Sequence, residues 1–160
     1  NGKAELPPPD ALYNVATDFS FEMEYANGVR VVVSKKEKGK GVGGVRFEGE
    51  GDKWIFCSRG VLESGPEEIR RIPPKEGDVR LYESNDHEDN FIEGVYTGKP
   101  TICPVEVGHR SISIAHIANI MLRLGKKELK WDPAKERFVG DAEADKMLDR
   151  PLRAPGGLRG

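Results

Sequence analysis

Cys103-Pro-Val-Glu-Val-Gly-His-Arg-Ser-Ile-Ser-Ile-Ala-His-Ile-Ala-Asn-Ile-Met-Leu-Arg-Leu-Gly125 is the stretch that decides how the rest of this chain is arranged. Pro104 suits a helix entrance, Gly125 suits the residue just past a helix end, and Lys126-Lys127 suits the negative pole of the helix dipole. A long helix is predicted between them. Ile114, Ile117, Met121 and Leu124 recur at spacings of three and four and make one apolar stripe. Ile112, Ala115, Asn119 and Leu122 make a second, mostly apolar one on another flank. A helix apolar on two flanks is covered on two flanks, so the stretch should be clamped between its own sheet and a second layer that need not belong to this chain.

Working outward, the chain of 160 residues is 37% hydrophobic and 32% charged, enough for one domain with a core. A formal net charge of -2 lacks the basic excess that nucleic acid or an anionic membrane demands, and no apolar run approaches a membrane span, so neither partner is expected. Cys57 and Cys103 match no metal spacing; two reduced thiols fit the pattern, and a single bridge stays open. The chain opens Asn1-Gly2 with no charged-then-apolar leader, which predicts that a piece upstream has been removed and leaves the compartment undetermined.

Three consecutive prolines within Leu6 to Asp10 predict an extended segment, with regular structure beginning after it. Asp18 to Tyr25 alternates, placing Phe19, Phe21, Met23 and Tyr25 on one face, and Val29 to Ser34 is the returning strand. A two-residue Asn27-Gly28 loop would set Tyr25 opposite Arg30. A three-residue loop, Ala26-Asn27-Gly28 with Gly28 left-handed, sets Tyr25 opposite Val29, Met23 opposite Val31, Phe21 opposite Val33 and Glu24 opposite Arg30, and is the register expected.

Lys35 to Lys40 is a charged loop read as solvated, and two strands come after it at Val45 to Gly49 and Lys53 to Ser58. Gly39, Gly41 and Gly44 carry the G-x-G-x-x-G spacing of a dinucleotide fingerprint. The segment after Gly44 alternates like a strand instead of opening a helix, so no nicotinamide cofactor is expected on this chain. Pro66 to Arg71 predicts one helical turn, Val79 to Tyr82 a short edge strand, and Asn85 to Tyr96 a helix with Phe91, Ile92 and Val95 at helical spacing. The run Asp86, His87, Glu88, Asp89 points around a cylinder and cannot converge on one metal ion; capping explains it. Glu128 to Asp132 and Lys135 to Val139 read as two strands around a proline turn. Asp141 to Leu148 reads as a capped helix and Arg150 to Pro155 as a surface wrap.

The strings Asn90-Phe91-Ile92, Pro104-Val-Glu-Val-Gly-His-Arg-Ser111, Asn119-Ile with Arg123-Leu-Gly125, Trp131-Asp-Pro133, Phe138-Val-Gly-Asp141 with Glu143-Ala144, and Arg150-Pro with Arg153-Ala-Pro155 succeed one another in order. So arranged, and with Tyr13-Asn14 and Tyr25-Ala-Asn-Gly-Val29 before them, the chain resembles a bacterial subgroup of the Gfo/Idh/MocA family of NAD(P)-dependent sugar oxidoreductases. The resemblance covers nearly the whole chain and is to the family's C-terminal end. It implies an α+β fold, with an open, largely antiparallel sheet and helices on one face, serving as substrate-side and oligomerisation domain. An N-terminal Rossmann domain, absent from this chain, would hold NAD or NADP and carry the redox chemistry, leaving the chain alone inert. The implied partners are that Rossmann domain, further copies met through the sheet face, and a sugar-like small molecule. The family's Glu-Lys-Pro motif, whose lysine is catalytic, has no counterpart here. Gly156-Gly157 stands where the family usually has tryptophan, and Asp145 where asparagine is frequent.

On the organising helix, Glu106, His109, Ser113 and His116 recur at three, four and three and form one polar stripe that could face a sugar cleft. His109 and Arg110, with Glu106, are the substrate-binding candidates, through hydrogen bonds to hydroxyls. The alternative is that they bond a neighbouring domain or groups within the fold, which an imidazole without identified partners favours. His109 and His116, seven apart, are too far along the axis for a helical zinc pair, and no metal is expected. Two other readings of the whole remain: a freestanding interaction module, and part of an NAD-assisted glycoside-cleaving enzyme of the same superfamily.

Overall fold

The computed structural model describes residues 2–35 and 43–149. Gly39 and Gly41 of the glycine motif, most of the lysine-rich loop, and the Arg150 to Pro155 segment lie outside the described residues. The chain divides into two compact units, one made of Asn1–Lys35 with Cys103–Gly160, the other of Lys36–Ile102. The class is α+β, as the sequence predicts, and among the described residues the strands pair antiparallel in three small sheets.

The first unit is built on β1 (Gly2–Glu5), β2 (Asp18–Glu24) and β3 (Arg30–Ser34), in that order across the sheet. β1 corrects the expectation that structure starts only after the prolines. Its four residues alternate small and charged, and β2 is what makes them a strand, pairing Gly2 with Phe21 and Ala4 with Phe19. The β2–β3 register is the three-residue one: Met23 meets Val31, Phe21 meets Val33 and Glu24 meets Arg30. The Tyr25 amide donates to the Val29 carbonyl at 2.9 Å, and Gly28 has φ +84°. That backbone is open to glycine without steric penalty.

Sorting by alternation leaves Phe19, Phe21, Met23, Val31 and Val33 on one face, and α2 (Val105–Arg123) lies on it. Ala118 and Met121 are buried with Phe21, and Ile114 and Leu122 pack beside them. β1 runs so close beneath the helix that a Cβ on Gly2 would come 2.7 Å from the Met121 methyl. The opposite face carries Glu22 and Arg30, paired at 3.2 Å, with Val32 exposed.

A second flank of α2 is also covered from within this chain, but it is not the predicted one: Ile112, Ala115 and Asn119 are exposed, and Leu122 packs toward the sheet. Ile120 is buried with Phe138 and Ala144, and Ile117, Leu124 and Trp131 pack around them. Phe138 and Trp131 come from a hairpin, β7 (Trp131–Asp132) and β8 (Arg137–Phe138), where they face each other across the strands with rings edge-on at 5.1 Å. Ala144 comes from α3 (Ala142–Asp145), shorter than the Asp141 to Leu148 helix predicted. The Asp141 carboxylate caps it by accepting from the Ala144 amide at 2.9 Å. The second layer is therefore supplied by residues 129–144, while Val105, Val107 and Ile112 on the first half of α2 stay exposed. α2 ends as predicted, with Gly125 at φ +62° and the Lys126 amide closing back on the Met121 carbonyl at 3.1 Å.

The second unit contains the sheet β4 (Val45–Glu48), β5 (Trp54–Ser58) and β6 (Val61–Gly65), then a 3₁₀ turn at Glu67–Arg71 and α1 (His87–Thr97). β6 is not foreseen from sequence, since Val-Leu-Glu-Ser-Gly has no clean alternation. The edge strand expected at Val79 to Tyr82 does not form: Val79 and Leu81 are exposed, and Tyr82 instead donates its hydroxyl to the Pro100 carbonyl at 3.2 Å. α1 is capped by Asp86, whose carboxylate accepts from the Glu88 and Asp89 amides, both at 2.9 Å. Its apolar residues Phe91, Ile92 and Val95 are exposed, and the buried residue is Asn90. Asn90 donates to the Tyr82 hydroxyl at 2.8 Å and accepts from the Ile102 amide at 2.9 Å, so a polar side chain anchors this helix.

Phe138, only 4% exposed, fills the junction of α2, the β7–β8 hairpin and α3. Phe138→Ala should lower the unfolding free energy by about 3–5 kcal/mol in urea denaturation. Val32→Ala, on the exposed face of β3, should stay within about 0.5 kcal/mol in a chain kept monomeric by dilution, and cost more where copies cover that face.

Candidate functional site

The polar stripe of α2 meets the β7–β8 turn. Four residues, 133–136, join the two strands. Pro133 starts the reversal, Asp132 accepts from the Ala134 and Lys135 amides at 3.0 and 3.1 Å, and Glu136 closes it at φ +51°. A left-handed backbone is uncommon for a residue with a Cβ and usually falls to glycine or asparagine. Here it belongs to a glutamate whose side chain has two partners on the helix.

Glu136 Oε1 lies 2.7 Å from His109 Nε2 and accepts from Arg110 Nη1 at 3.1 Å. The same Arg110 nitrogen reaches the Pro133 carbonyl at 3.0 Å, and Arg110 Nε donates to Glu106 at 2.7 Å. The result is a chain of hydrogen bonds, Glu106 to Arg110 to Glu136 to His109, fastening the turn to the helix. The His109 hydrogen bond, aided by the charges of His109 and Arg110, holds the Glu136 carboxyl below its ordinary value of 4.5 against the opposing effect of burial. The Glu106 hydrogen bond raises the Arg110 guanidinium above its ordinary value. With His109 and Glu136 nearly half exposed, water screens the pair and its stabilising effect is modest.

Beside this network lies an open concavity of about 800 Å³. His109, Ser113 and His116 line it from the helix, together with Glu136, Trp131 and Arg123. Of the sequence candidates His109 is thus on the concave face, whereas Glu106 and Arg110 do not line it and act on it through Glu136. Glu136 itself, 27 residues from His109, is missed by sequence reasoning, because nothing in Asp-Pro-Ala-Lys-Glu-Arg says which turn residue will reach the helix.

Ser113 Oγ donates to the His109 carbonyl at 2.7 Å, and so forms no nucleophile pair with an imidazole. Arg123 donates to Asn119 Oδ1 at 3.2 Å and to the Asn14 carbonyl, which steadies the far wall. An indole, imidazoles, a carboxylate and a guanidinium around one open hollow suit a hydroxyl-rich ligand, whose C–H face meets the ring while its oxygens find donors and acceptors.

The described part of the glycine motif does not fit a nicotinamide cofactor. Gly43 and Gly44 lead directly into β4, a strand, where a pyrophosphate needs the amides of a helix N-terminus. Gly44 has a packing reason instead, for a Cβ there would come 2.4 Å from the Cys57 carbonyl and 2.6 Å from the Phe56 ring. Among the described residues no group of three or more His, Cys, Asp or Glu is placed to hold a metal ion, and no helix is long and apolar enough to cross a membrane.

A family model described as an oxidoreductase family, C-terminal alpha/beta domain, matches residues 8–157. No curated protein and no solved structure matches the chain.

The carboxylates of this unit set its acid sensitivity. Asp141, bonded to Lys126 at 2.7 Å and to the Ala144 amide, is held below its ordinary 3.8, as Glu136 is held below 4.5. Because both are depressed in the folded chain, the stability they contribute is complete above those ordinary values and is lost as pH falls through the lower folded ones. The urea midpoint should therefore begin to fall near pH 4.5 and keep falling below pH 3.8. Asp141→Asn and Glu136→Gln should each flatten that limb; variants with the wild-type slope would show the pairs to be absent in solution.

Proposed function

The chain belongs to the Gfo/Idh/MocA oxidoreductase family, as its C-terminal α/β domain, and we propose that it forms the substrate-side wall of a nicotinamide-dependent sugar or polyol oxidoreductase. The observation that carries this reading is the concavity on the polar stripe of α2. A chain of this family has, at one hollow, an indole and several polar side chains of the kind that bind hydroxyl groups. His109 is the ligand-facing candidate, and Arg110 and Glu106 act at one remove by holding Glu136. Redox chemistry is assigned to a separate Rossmann domain that binds NAD or NADP, a partner the family implies, so this domain on its own is inert.

Support for treating both compact units as one such domain is that the family match runs through both, from residue 8 to residue 157. We further assign the assembly of copies to the solvent face of the first sheet. Val32 is exposed there, and other exposed apolar side chains on the chain, Val105 and Ile112 among them, add to the surface that association would cover.

Three measurements test the reading. NADH titrated into this chain should show no saturable binding up to millimolar levels. In the protein joined to its Rossmann domain, His109→Ala should lower kcat/KM for polyol oxidation about tenfold, the size of one lost hydrogen bond, and leave the cofactor KM unchanged. An unaltered kcat/KM would remove His109 from the site. Light scattering should give a dimer or larger at micromolar concentration, and a monomer throughout that range would end the assignment of assembly to this chain.

A further inference from the structure

We propose that Glu136 is a positioning residue that fixes the neutral His109 imidazole as its Nε2–H tautomer, leaving Nδ1 as the ring's acceptor for a ligand hydroxyl. The hydroxyl half of this rests on the substrate-wall reading above; the tautomer half stands on geometry alone.

The geometry is a shared oxygen. Glu136 Oε1 sits 2.7 Å from His109 Nε2 and 3.1 Å from Arg110 Nη1. A carboxylate that is already accepting from a guanidinium is ionised, and an ionised carboxylate can only accept. The proton on this contact must therefore be carried by Nε2. In a neutral ring that assigns the lone pair to Nδ1, because a hydrogen bond at one nitrogen sets the role of the other. A fixed acceptor selects for a donor, so the His109 position favours a hydroxyl over a phosphate or carboxylate oxygen, which would meet a lone pair.

The backbone marks Glu136 as well. At φ +51° it holds the one turn position where glycine is the unstrained choice, and its carboxylate bonds two residues of the helix. Strain of this kind persists where the surrounding contacts determine it, and it concentrates at functional positions. The same fact supplies a clean probe. Glu136→Gly removes the acceptor and relaxes the backbone, so the hairpin should survive the substitution.

The test tracks the ring nitrogens of His109 by ¹⁵N NMR in the 160-residue chain, assigned by their loss in His109→Asn, at a pH where the ring is neutral. Wild type and Glu136→Gln, which keeps an acceptor oxygen, should both show the Nε2–H tautomer. Glu136→Gly should move both nitrogens toward the tautomer mixture of free imidazole. A wild-type ring protonated on Nδ1, or shifts unmoved in Glu136→Gly, would overturn the proposal. Titration of the protein joined to its Rossmann domain with glucitol, a neutral hexitol, tests the ligand half: Glu136→Gly should weaken binding about tenfold, with Glu136→Gln within a few-fold of wild type. Equal affinity in all three, with the tautomer changed, would overturn the hydroxyl assignment alone. No binding to wild type would overturn that assignment together with the substrate-wall reading, and would leave the tautomer result intact.

Discussion

Covering two apolar flanks of one helix is the constraint on which the first unit depends. α2 carries Met121 and Ala118 toward the β1–β2–β3 sheet and Ile120 toward Phe138 and Ala144, so neither layer can leave without exposing a line of core side chains. Leu129 packs against both clusters and ties them just beyond the helix end. Small residues do as much as large ones here. Gly2 lets β1 approach to the point where a Cβ would strike Met121 and Leu122, and Ala144 is fully buried where a larger side chain would force α3 away.

The same constraint positions the site. The hairpin is seated on α2 by Phe138 and Trp131, and a hairpin seated there has its four-residue turn beside the polar stripe of the helix. Glu136 reaches His109 because the hydrophobic contact of Phe138, two residues on, fixes the strand at the turn's end. Asp145 strengthens the arrangement, accepting from the Phe138 amide at 2.8 Å and lying 3.6 Å from Arg137. The first of these is a bond that an asparagine oxygen could also accept, so aspartate at this position keeps the contact and adds the ion pair.

What was legible in the sequence was what a local pattern encodes. The ends of α2, the Asp86 and Asp141 caps, the hairpin register from Tyr25 to Val29 and the β7–β8 pair all come from spacing, capping residues and face sorting. Gly2-Lys-Ala-Glu5 was not legible, because its small residues are explained only by the helix above them. Asn90 was not either: the apolar spacing of Phe91, Ile92 and Val95 argued for a buried stripe, and an amide network with Tyr82 and Ile102 prevailed. At the site, the stripe containing His109 was readable and its partner was not. A helix period says which residues share a face, but only tertiary packing says what that face meets.

The exposure of the His109–Glu136 pair has a consequence for where selectivity can arise. With both side chains nearly half open to water, attraction between them and a ligand is screened, and a hydroxyl bound there trades one set of hydrogen bonds for another of similar strength. The groups gain force only where water is displaced, since a fixed acceptor discriminates most when the competing solvent is gone. Ionic partners on the helix and the turn keep this geometry in place: Arg110 holds the carboxylate from a position that does not line the hollow. The network therefore sets the direction of the hydrogen bond in advance, and the degree of covering sets its strength. The substrate-wall reading proposed above draws on the first property and leaves the second to a neighbouring body.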